Sequence, residues 1–190
     1  MRNRMALLAS AKSLIAAKGV KAASISEIAA RAGVAKGLLF YYFKDKDSLV
    51  QAIDQEVQSG YMRDLPPAGG SGTARERLHA LIRHHFDFLA SSPEDAQFLY
   101  QSGGTAAGAA GFYDHLHERI LGILAQGERA GEFVSGDKEA LAYMLLGSLH
   151  GVGRLMLHEF KRDYDAVHHL AAMCDKILMR QGDGPEGPGF

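Results

Sequence analysis

Between Ser24 and Phe43 the chain reads SISEIAARAGVAKGLLFYYF, and the chemistry these residue types suit is recognition of a duplex, with no bond made or broken. Ser24 and Glu27 stand in the S-x-x-E spacing in which two side chains satisfy amides at a helix start. Ile25, Ile28, Ala29 and Ala32 recur at i, i+3, i+4 and i+7, the spacing of one buried helical face. Gly33 can take the positive φ of a tight corner, so this helix should end there. The small Ala29 then lets a second helix cross closely, and Val34 re-enters the core. Leu39 and Phe43 continue the buried face. Ala35, Lys36, Gly37, Leu38, Phe40, Tyr41 and Tyr42 crowd more apolar and aromatic surface around that short helix than a miniature core can cover. Part of it is left for a partner, although S-x-x-E boxes and Ala/Gly corners also occur in helical proteins that touch no nucleic acid.

Charge favours the nucleic-acid reading. Residues 1–50 hold nine Lys/Arg against three Asp/Glu, and residues 51–190 hold twelve against nineteen, so a net charge of −1 conceals a head of +6 and a body of −7. A basic helical segment is what displaces counterions from phosphates; an acidic body does not lie along DNA. At 190 residues and 47% hydrophobic, the chain can bury a sizeable core. The reading finds no apolar run near the roughly 20 residues that span a bilayer. The N-terminus MRNRMALLASAK runs into an amphipathic helix without a signal-type cleavage site. A cytoplasmic protein without a membrane partner is expected. The single cysteine, Cys174, makes an internal disulfide impossible and reads as a small hydrophobe on a late helix.

Past Leu49 no alternating strand pattern occurs, and the fold class predicted is all-α, with about nine helices. A fourth helix should start after Lys44-Asp45 and end before Pro66-Pro67, followed by the loop LPPAGGSGT. Thr73 and Glu76 form a second capping box. Pro93 opens a short sixth helix that stops by Gly103-Gly104. A long seventh helix from about Ala107 to Arg129 closes at Gly131. Asp137 should cap an eighth helix reaching about Phe160, and Asp163 a ninth reaching about Arg180. On the eighth helix Tyr143, Gly147, His150, Gly151, Arg154 and His158 share one face, and Leu145, Leu149, Val152, Met156 and Phe160 another. The second face suits the body's own core. The glycine face admits a close helix, either of a second subunit or of the same chain.

Residues 4–50 resemble the DNA-binding domain of the TetR family of bacterial one-component regulators. The resemblance runs from a first helix ending AAKGV (Ala16 to Val20) through SISEIAARAGVAKGLLFYYFKDKDSL (Ser24 to Leu49), dense and ungapped over about a quarter of the chain. It implies a helix-turn-helix domain at 1–47 and a ligand-binding and dimerisation domain at 48–181; the tail at 182–190, GDGPEGPGF, lacks a packing face and is expected to be disordered. It implies that Ala35 opens the recognition helix and that Lys36, Gly37, Leu38 and Phe40 face base edges and nearby backbone. Lys36 suits guanine O6 and N7, while Leu38 and Phe40 suit thymine methyls. Tyr41, Tyr42, Ser24 and Lys46 are placed towards phosphates, Ser26 towards a base, and Arg2 and Arg4 along the duplex. Two positions depart from the family pattern. Ala35 stands for the usual Ser or Thr and Phe40 for a common Tyr, which puts the operator sequence in doubt.

The resemblance also implies a homodimer through the last two long helices, hence a palindromic operator, and a pocket for a small molecule among helices four to eight. Candidate linings are Phe86, Phe98, Phe112, Tyr113, Leu116, Met144 and Met156, with His85, Tyr100 and His117 for polar selectivity. Few basic residues accompany them, which favours a hydrophobic, neutral or weakly charged ligand. The pairs His84-His85, His115-x-His117 and His168-His169 lack the i, i+4 spacing of helical metal ligands, so no metal and no cofactor are expected. No nucleophile elbow, Walker loop, H-E-x-x-H or dinucleotide fingerprint suggests an enzyme. The reading is a ligand-released repressor of transcription; the alternative is a DNA-binding regulator or adaptor controlled by a protein partner.

Overall fold

Side-chain caps mark the starts of five helices in this chain. The computed structural model describes residues 2–101, 106–158 and 163–179. Among these, the helices are α1 (Arg2–Ala22), α2 (Ile25–Arg31), α3 (Lys36–Tyr42), α4 (Lys46–Asp64), α5 (Ala74–Ser91), α6 (Pro93–Gln101), α7 (Ala106–Arg129), α8 (Lys138–Leu157) and α9 (Ala166–Leu178), with no strand. Asp45 accepts from the Ser48 amide at 2.8 Å ahead of α4. The Thr73/Glu76 box closes in both directions before α5, with the Glu76 amide on Thr73 Oγ1 and the Thr73 amide on Glu76 Oε2. Asp137 caps α8 through the Ala140 amide. The cap of α9 is Asp165 rather than Asp163, because it is Asp165 whose carboxylate reaches the His168 amide at 2.9 Å. The expected stops at Gly103-Gly104, Phe160 and Arg180, and the tail at 182–190, lie outside the described residues.

The chain packs as two compact units, residues 1–64 with 88–113, and residues 65–87 with 114–190. In the first, α4 and α6 join the three helices assigned to the head, whereas the sequence placed a boundary after residue 47. The core combines Leu7, Leu8, Ala11, Leu14 and Ile15 of α1 with Ile28, Leu39, Phe43, Leu49, Ile53, Val57 and Phe98. Phe98 is fully buried there, and Lys12 of α1 pairs with Asp95 of α6.

In the second unit Leu78, Leu81, Ile82 and Phe86 of α5 and Leu116, Ile120, Ile123 and Leu124 of α7 are buried. His85 lies among them, its Nε2 donating to the Leu149 carbonyl of α8 at 3.1 Å. Burial pushes the imidazole down to about 4, so it is neutral at pH 7. The loop after α4 is held by guanidinium groups: Arg119 donates to the Pro66 carbonyl at 2.6 Å and Arg77 to that of Gly72 at 2.7 Å.

By length and mean hydropathy (1.3) α8 would suffice to cross a bilayer, which corrects the reading that nothing in the chain comes near that length. That reading sought an unbroken apolar run, and Ser148, His150 and Arg154 interrupt this one. Averaged over the helix, its leucines and methionines outweigh them, yet only 22% of the segment is buried.

Phe98→Ala should lower the stability of the first unit by about 3–5 kcal/mol, the usual cost of emptying a filled aromatic site. Urea unfolding followed by α-helical circular dichroism measures it; a loss under 1 kcal/mol would mean that α6 does not complete this core.

Candidate nucleic-acid interface

The Glu27 amide donates to Ser24 Oγ at 3.2 Å and starts α2. The Glu27 carboxylate also accepts from the Ser24 backbone, closing the capping box, and it pairs with Lys18 of α1. The Lys18 hydrogen bond, chiefly, holds the Glu27 carboxyl below its usual range. The corner follows the sequence: Gly33 sits at φ 69°, its amide bonds to the Ala30 carbonyl, and the Val34 amide bonds to that of Ala29. No Cβ would clash at Gly33, so the requirement is conformational rather than spatial. Ala35 precedes α3 in extended conformation and offers no side-chain cap.

α3 is seven residues long, about 10 Å, and its orientation is fixed from below by Leu39, which is fully buried, and by Phe43 just beyond its end. Leu38 and Tyr42 are half-buried. Lys36, Gly37, Phe40 and Tyr41, at i, i+1, i+4 and i+5, face outwards. Phe40 is 47% exposed and Tyr41 80%, a large aromatic surface to leave in water. Ser24, Ser26 and Ala35 are also exposed. Lys46 is half-buried, with Nζ 3.4 Å from the Lys21 carbonyl at the end of α1. The Arg4 guanidinium lies 5.4 Å from the Phe43 ring centroid, a cation–π contact tying the start of α1 to the end of α3.

Of the nine cations in residues 1–50, Lys12 and Lys18 are neutralised by carboxylates. Lys21, Lys36 and Lys44 are exposed and form no ion pair among the described residues. A convex helix with a cation and two aromatic rings, beside further cations, can enter a major groove about 12 Å wide and contact phosphates at its edges.

The proposed ligand-lining residues separate. In the first unit Tyr100, Phe112 and Tyr113 keep company with Tyr61 and Phe88, and Phe98 lies in the core already described. The Tyr61 ring centroid is 5.2 Å from that of Phe88 and 5.1 Å from that of Phe112, and Phe112 is 5.5 Å from Tyr113. Burial raises the Tyr61 phenol, and burial with the neighbouring Tyr61 and Tyr113 raises that of Tyr100. Tyr61 and Phe88 were missed in the sequence; Phe88 stands one turn from the candidate His85, which was the available signal for it.

In the second unit His85 and Phe86 are buried edge to face, 5.3 Å apart, and Leu116 is buried too. His117 pairs with Glu139 at 3.2 Å and its ring lies 4.6 Å from that of Tyr143. Met156 is half-buried and Met144 is 57% exposed. Met144 borders a groove of about 50 Å³ between α8 and α9 with Leu145, Leu170, Met173 and Ile177. Cys174, also bordering it, is buried, and desolvation pushes its thiol up to about 11. No group of three or more potential metal ligands converges among the described residues.

Tyr143, Gly147, Gly151, Arg154 and His158 are exposed along α8, with His150 half-buried. A Cβ added at Gly147 or Gly151 would meet nothing within 4 Å. Packing among the described residues therefore gives no reason for glycine at either position.

Comparison with known proteins agrees with these features. Residues 7–53 match the family described as bacterial regulatory proteins, tetR family, and residues 71–154 a tetracyclin repressor-like C-terminal domain. The HTH-type transcriptional regulator BetI of Klebsiella pneumoniae (strain 342) is 35% identical over 172 residues, 85% of this chain and 73% of that protein. The fatty acid metabolism regulator protein of Bacillus subtilis (strain 168) is 28% identical over 182 residues, 92% of this chain and 91% of that one. Among solved structures, the transcriptional regulator FadR from Bacillus subtilis in complex with stearoyl-CoA superposes with a TM-score of 0.72 at 26% identity, covering 89% of this chain and 94% of that chain. FadR from Bacillus halodurans, at 22% identity and a TM-score of 0.77 over 96% and 97% of the two chains, shares the fold. The exposed α3 face, the basic head and these matches together make the chain a member of the TetR family of DNA-binding transcriptional regulators.

Proposed function

We propose that the protein is a repressor that holds a palindromic operator as a homodimer and is released by a small hydrophobic ligand. The observation that carries the DNA part is the outward face of α3, where Phe40 and Tyr41 stay in water beside Lys36 although a core of large aliphatic residues lies directly beneath. Lys36 reads a base and Phe40 packs on thymine methyls. Tyr41, Ser24 and Lys46 take the phosphates, while Leu38 and Tyr42 stiffen the helix from its half-buried side.

The dimer reading rests on α8 and α9. Tyr143, Met144 and Leu155 of α8 and Met173 and Ile177 of α9 are all between 44% and 65% exposed, and Gly147 and Gly151 lie open beside them. A second copy burying the same patch satisfies an apolar helix that the subunit leaves uncovered. For the ligand, the aromatic group of Tyr61, Phe88, Tyr100, Phe112 and Tyr113 provides an apolar lining with phenolic hydroxyls, and the acyl thioester bound by the Bacillus subtilis relative supports a long apolar ligand class. Coupling of about 1–3 kcal/mol between ligand and DNA weakens operator binding roughly 5- to 150-fold.

Lys36→Ala should cost about 1–3 kcal/mol at one base position of each half-site and relax preference there. Lys46→Ala should weaken all sequences alike and reduce the salt slope by about one. Fluorescence anisotropy on a set of single-base operator variants separates these outcomes; two variants indistinguishable from wild type would sink the assignment of this face. Ile177→Glu should leave a folded monomer by analytical ultracentrifugation and reduce operator affinity by roughly 10²- to 10⁴-fold, the avidity lost when two linked heads become one. A charged dimer of undiminished affinity would place the subunit contact elsewhere.

A further inference from the structure

Sharing no lining residue with the apolar groove, α5 and α9 form a cleft of about 410 Å³ with charged side chains along it. From α5 it is lined by Arg75, His79 and Arg83, at i, i+4 and i+8; from α9 by Asp165, His168 and Asp175, with Val167, Ala171 and Ala172 between them. One end is electrically closed. Arg75 forks onto Asp175 with Nε at 2.9 Å and Nη2 at 2.8 Å, and His79 Nε2 meets the same carboxylate at 2.9 Å. Burial alone would raise the Asp175 carboxyl, but these hydrogen bonds override it and hold it below the usual carboxylate range.

The other end is not closed. Two turns along α5, about 12 Å from Arg75, Arg83 is exposed and forms no hydrogen bond or ion pair among the described residues. The carboxylate available on α9, Asp165, spends Oδ1 on the His168 amide as the helix cap. The small side chains of Ala171 and Ala172 leave space between the two ends. A guanidinium facing a cleft with an imidazole across from it presents the planar donor geometry that matches a carboxylate or phosphate.

We propose that this cleft binds a small oxyanion, a carboxylate or phosphate group on a compact molecule, with Arg83 as its bidentate partner and His168 as a second donor. The bound group would complete at the open end of the cleft the charge balance that Asp175 provides at the closed end. The site is built from α5 and α9 alone and does not depend on the operator reading or on the aromatic lining.

Isothermal titration calorimetry of the full chain with inorganic phosphate and, separately, with citrate, each at ionic strength matched with sodium chloride, tests it. Saturable binding of at least one anion is expected. Affinity should fall about tenfold or more in Arg83→Gln, a loss of at least ~1.4 kcal/mol. It should fall less in Arg83→Lys and stay at the wild-type value in Arg63→Gln, a substitution outside the cleft. Binding of phosphate alone or of citrate alone would support the site and assign its ligand's head group. No saturable heat with either anion, or equal affinity in wild type and Arg83→Gln, would overturn it.

Discussion

The structure depends on a short helix that cannot hold itself. Seven residues fall well below the length at which a helix is stable alone in water, and α3 lacks even a side-chain cap at Ala35. Its stability comes from Leu39 within it and Phe43 beyond it, both driven into a core shared with α1, α2, α4 and α6. Burial of a large apolar side chain contributes about 1.5–3 kcal/mol, so these two anchors outweigh the missing cap. The same arrangement fixes which residues point outwards. With Leu39 held below, Lys36, Phe40 and Tyr41 have no direction left but solvent.

Around that constraint the charges divide the labour. Lys12 and Lys18 are used internally, to Asp95 and Glu27, and hold α1 against α6 and α2. Lys21, Lys36 and Lys44 stay in water and give the head its field. In the second unit polar groups act as rivets: buried, neutral His85 on the Leu149 carbonyl, half-buried Glu132 on the amides of Ala74 and Arg75 at the start of α5, and exposed Arg75 on Asp175. These join α5 to α8, to the turn after α7 and to α9. The face of α8 and α9 that no rivet or core covers is apolar and glycine-lined, and it is the surface a second subunit is proposed to occupy.

Local chemistry was legible in the sequence; distant packing was not. Ser24, Gly33, Thr73 with Glu76, Pro93 and Asp137 act within three or four residues of themselves, and each helix boundary they predict is present within a residue or two. The Asp163-Tyr164-Asp165 triplet offered two caps of equal chemistry, and only backbone geometry selects the second. Glu27 shows what a motif leaves out, since the box spacing gave no sign that a lysine nine residues upstream shares the same carboxylate. Phe98 and the Tyr61–Phe88 pair required knowing which helices meet. Aromatic residues at helical spacing look alike whether they line a cavity or fill a core, so Phe98 was read as lining while it completes the core around α3.

The most direct measurement is a footprint of the purified protein on the DNA flanking its own gene at physiological salt, repeated with a panel of fatty acids and acyl thioesters. The account predicts a protected palindrome whose half-sites are centred about one helical turn apart or somewhat more, released by a member of the panel. Protection of a single half-site, or a palindrome that no apolar ligand releases while a protein from the cell does, would contradict it.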